Sequence, residues 1–126
     1  MRQTGSLQAI YEAYQDKVDF WWIYTKEAHA SDGDRPSRSV KIAQHKTLAE
    51  RKTAAATCSA GSVLKIPVLV DDMKNSVSSA YSALPERFII LNANKTVAYT
   101  GGRGPRGVDA AEFKAALEKL VKTKKP

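Results

Sequence analysis

An α/β fold is what the chain predicts, and three observations carry that prediction. Val18 to Tyr24 is a short, nearly continuous apolar run rich in aromatic residues, whose length suits a strand buried on both faces better than a helix. Segments with helical apolar spacing alternate with such short runs along the chain. Late in the sequence, Asn92-Ala93-Asn94-Lys95 separates two apolar runs as a hairpin turn. With 126 residues there is chain enough for one hydrophobic core but not for two.

The elements follow in order. Leu7, Ile10, Tyr11 and Tyr14 have helical spacing, so residues 6–16 form a short amphipathic helix. The strand 18–24 comes next, then a polar loop from Lys26 to about Ile42, where Pro36 argues against early helix. Thr47 with Glu50 three residues on makes a capping box for an alanine-rich helix from Leu48 to Cys58, ending near Gly61. Pro67 to Val70 is a short strand closed by Asp71-Asp72, and residues 74–83 hold a helical turn under Tyr81. The hairpin strands are Arg87 to Leu91 and Thr96 to Tyr99, followed by a glycine-rich loop from Gly101 to Gly107. Asp109 caps a last helix with Phe113, Ala116, Leu117, Leu120 and Val121 on one face. Residues 1–121 therefore constitute a single domain, and 122–126 a disordered basic tail.

Composition narrows the function classes. No apolar run approaches the length of about 20 residues that a membrane span needs, and the polar start is no signal peptide. One cysteine, Cys58, excludes an internal disulfide, so a cytoplasmic setting without a membrane is expected. The net charge of +7 invites nucleic acid as a partner. Much of the excess, however, lies between Arg35 and Lys52 and in the lysine tail, without interleaved aromatics, so a solvated basic surface and no nucleic acid is the expectation. No metal or bound cofactor is expected.

Polar groups just beyond the carboxyl end of a buried strand occupy the usual site position of open α/β sheets. Both histidines fall there, His29 and His45, in a stretch that also holds Glu27 and Ser31-Asp32-Gly33. Taken alone, Tyr24 also reads as a core tyrosine bonded to backbone, His45 as decoration of a helix start, and Arg103 as an exposed loop residue. Cys58, at the end of an alanine-rich helix without a nearby His or second Cys, reads as a small buried hydrophobe and not as a nucleophile.

The sequence contains Tyr24-x-x-Glu27-Ala28-His29-x-Ser31-Asp32-Gly33, then Gln44-His45 and Glu50-Arg51 before Ala54-Ala55. It continues through Pro67-Val-Leu-Val-Asp71-x-Met73-x-Asn75, Tyr81-x-x-Leu84-Pro85-Glu86-Arg87 and Tyr99-x-Gly101-Gly102-Arg103-Gly104-Pro105. In this order and spacing the words resemble the iodothyronine deiodinase family over nearly the whole chain. The resemblance implies a thioredoxin-like fold of the peroxiredoxin-like kind, with a mixed sheet flanked by helices, and the element order matches it with the first strand missing. Pro85 then stands where that fold class places a cis-proline.

The same resemblance implies reductive, thiol-dependent dehalogenation of an iodinated phenol, a thyronine-like substrate, with an external thiol reductant and a homodimer. Tyr24, Glu27 and His45 match the family's proton-relay residues. Glu27, His29 and Arg103 match those that clamp the two ends of the substrate. The family's nucleophile motif, Gly-Ser-x-Thr followed by selenocysteine or Cys and then Pro, is absent from these residues. Gly5-Ser6 is not that motif, since no Thr, Cys and Pro follow. The expectation is that Met1 is a miscalled start beyond an in-frame selenocysteine codon, and that the chain as written is inactive. The alternatives are a non-catalytic thioredoxin-like binding module and a peroxide reductase in the full-length form. Asp34 stands where the family usually has Trp, and Val108 where many members carry an aromatic, which weakens stacking on an iodinated ring. Another halogenated phenol fits equally well.

Overall fold

The computed structural model describes residues 4–39 and 41–123. Its elements are α1 (Thr4–Tyr14), β1 (Trp22–Tyr24), α2 (Leu48–Ala60), β2 (Val68–Val70), α3 (Ser76–Ala80), β3 (Ile89–Leu91), β4 (Val97–Thr100) and α4 (Ala110–Thr123). The mixture of helices and strands is the α/β class expected from the sequence.

Two capping arrangements legible in the sequence set helix starts. Thr47 accepts from the Glu50 amide while the Glu50 carboxylate accepts from the Thr47 amide, the reciprocal capping box of α2. Asp109 Oδ1 accepts from the amides of Ala111 and Glu112 at the start of α4. That last helix runs to Thr123, so Lys122 and Thr123 are helical and not part of a disordered tail. The rest of the expected tail, 124–126, lies outside the described residues.

The main core forms where α1 and α4 cover the hairpin. Leu7 and Ile10 of α1, Phe113 and Leu117 of α4 and Ile90 of β3 cluster with Leu64 and Ile66, which precede β2. Phe88 and Tyr99 stack on Phe113 with ring centroids 4.8 and 6.2 Å away. The hairpin turns as its sequence requires, with Lys95 at φ 71° and its amide bonded to the Asn92 carbonyl.

The strands correct two expectations. The Val18–Tyr24 run is not buried on both faces: Val18, Phe20 and Trp22 pack on the core, whereas Trp21 between them is 57% exposed. Only Trp22, Ile23 and Tyr24 find partners, in parallel register with Val68, Leu69 and Val70. A ladder extends only as far as the neighbouring strand does, and β2 is three residues long. The strands form two ladders among the described residues, β1 with β2 and β3 antiparallel with β4.

Beyond β2 the chain is held by Asp71, which is almost fully buried. Its Oδ1 accepts from the Asp72 and Val77 amides and its Oδ2 from the Ser78 amide, tying the strand end to the start of α3. The neighbouring Asp72 accepts from the amide and hydroxyl of Ser76. A buried donor left without a partner costs about 1–3 kcal/mol. Asp71→Ala is therefore expected to lower unfolding stability by about 3 kcal/mol, and an unchanged urea midpoint would contradict that role.

Candidate functional site

Strand alternation sends Trp22 and Tyr24 to the same side of β1, and Tyr24 is 8% exposed. Its hydroxyl reaches two side chains. It donates to Glu27 Oε1, and it lies 3.4 Å from His45 Nε2. His45 Nε2 is in turn 3.8 Å from Glu27 Oε1. Tyr24, Glu27 and His45 thus converge on one point just beyond the carboxyl end of β1, although Gln44, beside His45, is 17 positions along the chain from Glu27.

That convergence has a local cause. The Gln44 side chain grips the backbone of Glu27 from both sides, its Oε1 accepting from the Glu27 amide at 3.0 Å and its Nε2 donating to the Glu27 carbonyl at 2.9 Å. Asp32 Oδ1 accepts from the Gln44 amide, and the Ser31 amide donates to the Ile42 carbonyl. The Ser-Asp-Gly turn and the segment before α2 are zipped together, which carries His45 onto Tyr24.

Arg51 completes the cluster from below. It is 2% exposed, within a stretch expected to be a solvated basic surface. Arg51 shares the inward face of α2 with Ala55, one helical turn on, which is also buried. Its Nε donates to His45 Nδ1 at 3.2 Å, and one terminal nitrogen donates to the Asp72 carbonyl at 2.6 Å and to Asn75 Oδ1 at 3.1 Å. The sequence word Glu50-Arg51 was visible, but its role needed the helix face.

Burial, and then the Glu27 carboxylate that the hydroxyl bonds, hold the Tyr24 hydroxyl far above the usual tyrosine range, so it keeps its proton. His45 moves the other way: burial and then the Arg51 charge push its pKa below the usual value, against the opposing charges of Glu27 and Glu50. Between the ordinary histidine value of about 6.5 and the lower folded value, the unfolded chain binds more protons than the native one. Stability therefore falls as pH drops below about 6.5, and His45→Gln is expected to flatten that part of the curve. Urea midpoints on both sides of about pH 6.5 test this, and an equally steep loss in the variant would contradict it.

The other expected site residues stand apart from this cluster. His29 is exposed, with Nδ1 at 2.9 Å from the Arg35 carbonyl. Since a carbonyl only accepts, Nδ1 carries a proton, and in the neutral ring Nε2 is then an acceptor. Arg103 is exposed in the glycine-rich loop. The Leu84–Pro85 peptide is cis, as is Gly104–Pro105. Arg87 staples this region, its Nε donating to the Gly101 carbonyl at 2.6 Å and a terminal nitrogen to the Tyr81 carbonyl at 3.0 Å. Gly104 is packed so closely that a Cβ there would lie 2.3 Å from Glu86 Cγ. Glu86 is half-buried, and burial raises its carboxyl above the usual range. Val108, at the position where the resemblance leads one to expect an aromatic, is buried.

Cys58 is half-buried, and burial followed by the Glu27 charge raises its thiol above the usual value. A thiol held protonated is a poor nucleophile. Among the described residues no group of three His, Cys, Asp or Glu side chains is arranged to hold a metal ion, and no helix is long and apolar enough to cross a membrane.

The sequence pattern of iodothyronine deiodinase matches residues 1–121. Thyroxine 5-deiodinase of Ovis aries is 39% identical over 123 residues, covering 94% of this chain and 40% of the relative. That of Bos taurus is 39% identical with 39% of its length covered, and that of Homo sapiens 38% identical over 120 residues. The chain spans about two-fifths of the length of these relatives. A match across all but the last few residues places the chain in the iodothyronine deiodinase family.

Proposed function

We propose that this chain supplies the proton-delivery and substrate-holding parts of a reductive dehalogenase acting on an iodinated, thyronine-like phenol with a thiol reductant. The observation that carries the reading is the Tyr24 hydroxyl, protonated and bracketed by the Glu27 carboxylate and His45 Nε2. A selenolate or thiolate takes iodine from the ring carbon, and a proton replaces it there. A thiol then displaces iodide from the selenium or sulfur, and a second thiol releases the enzyme, so one aryl iodide and two thiols give the arene, a disulfide and hydrogen iodide. Tyr24 is the acid of the proton step. The His45 Nε2–H stabilises the oxygen that Tyr24 leaves behind, and Glu27, which reaches solvent, relays a proton from water back to it. His29 Nε2 accepts from a phenol, and Arg103 suits a carboxylate because its planar fork binds two oxygens.

The thioredoxin-like architecture belongs to this proposal. It is supported by the two ladders, which become one mixed sheet if a further strand pairs with both β1 and β3. The nucleophile is not Cys58, the one cysteine of the sequence, so the 126 residues alone are expected to be inactive. That same thiol favours a second reading, a thioredoxin-like module that binds a phenol without redox chemistry.

Reading the DNA upstream of the Met1 codon separates the two. An in-frame TGA or cysteine codon after codons for Gly-Ser-x-Thr supports the enzyme, and the longer protein should then release halide in a thiol-dependent assay. An early in-frame stop without that motif overturns catalysis and leaves binding.

A further inference from the structure

We propose that Arg51 is a positioning residue that fixes His45 in one neutral form, with its proton on Nε2, and so sets the direction of the hydrogen-bond chain from His45 through Tyr24 to Glu27. The inference rests on the relay reading of the site, but its core concerns a single ring.

The chemistry leaves one arrangement. A guanidinium has only donors and stays charged in proteins. With Arg51 Nε donating to His45 Nδ1 at 3.2 Å, Nδ1 must present its lone pair. The proton of the neutral ring then lies on Nε2, facing Tyr24 Oη at 3.4 Å. Since that nitrogen donates, Oη accepts, and the tyrosine proton goes to Glu27 Oε1. A second proton on the ring would set a donor on Nδ1 against the Arg51 donor.

Arg51 is held to this task by partners that cannot move freely. Its terminal nitrogen bonds the Asp72 carbonyl and Asn75 Oδ1, and weakly the Asp71 carbonyl, all on the segment between β2 and α3. These bonds go to neutral oxygens, so the guanidinium charge is not cancelled by them and bears on the His45 ring. The groups facing His45 are then Arg51 and Glu50 from α2 and Tyr24 and Glu27 from the end of β1. In the proposed reaction, a His45 with its proton on Nδ1 would turn a lone pair toward the oxygen from which Tyr24 loses its proton. The charge on that oxygen would go unstabilised. Arg51 touches no reacting atom and acts through His45.

Long-range proton–nitrogen correlation spectra of the 126-residue chain with labelled histidine report which ring nitrogen carries hydrogen, with His45→Gln to assign the signals. The expected result is Nε2 protonated and Nδ1 bare, and a proton on Nδ1 in the unaltered chain overturns the proposal without any variant. Arg51→Lys, which keeps a charged donor, is expected to retain the pattern. Arg51→Met is expected to give a mixture of the two forms and a His45 titration at higher pH. A folded Arg51→Met chain that keeps Nε2 alone protonated would show a merely structural arginine and overturn the inference. These spectra need no turnover, so they decide the protonation of His45 even if the dehalogenase reading fails.

Discussion

Tyr24→Phe is expected to slow thiol-dependent iodide release by about 10²–10⁴-fold, the range for loss of a positioned general acid. The measurement uses a chimera in which residues 1–121 replace the matching region of the Ovis aries thyroxine 5-deiodinase, which leaves the rest of that relative in place. The large effect follows from the geometry. Phenylalanine keeps the ring that packs on His45 at 5.5 Å but removes the one hydroxyl that joins His45 to Glu27. The loss should fall on kcat with little change in KM, because in the proposed reaction the hydroxyl acts on the proton in flight and not on substrate binding. Folding should lose about 2 kcal/mol, because the hydroxyl bonds both the Glu27 carboxylate and the buried His45 ring. A variant with unchanged kcat would remove Tyr24 from the reaction.

Phe113→Ala is expected to have the largest effect on stability, about 3–5 kcal/mol, as for other buried phenylalanines truncated to alanine. Phe113 is where α4 meets the hairpin, with Phe88 and Tyr99 against its ring and Leu7 and Ile10 in the same cluster. Against a total of about 5–15 kcal/mol, such a loss leaves a chain close to unfolding at ordinary temperature. Urea unfolding of the variant should show the midpoint fall at unchanged slope. A loss below about 1 kcal/mol would mean that α4 is not the lid of this core. The two substitutions separate the functions of the fold: one empties the core under α4, the other disables the cluster beyond β1.

What could be read in the sequence was what local chemistry decides. The capping box at Thr47 and Glu50, the cap at Asp109 and the turn through Asn94 and Lys95 each follow from residues within a few positions of one another. The length of β1 did not follow, because Val18 to Tyr24 carries the same apolar signal throughout, while pairing depends on how far β2 reaches. The contribution of Gln44 was hidden for the same reason. Its bonds reach back 17 positions along the chain, and nothing in its neighbourhood announces them. Arg51 was masked by its type, since an arginine amid lysines suggests a solvated face. Only its spacing from Ala55, on the face that turns inward, distinguishes it from Lys52 beside it.

The most direct test of the relay is the chimera with Tyr24 intact. With a thiol reductant and an iodinated phenol, the account predicts iodide release that requires the thiol, together with solvent hydrogen on the ring carbon that lost iodine. A folded chimera that binds the phenol but releases no iodide would contradict it, and would leave the Tyr24, Glu27 and His45 cluster as a piece of architecture.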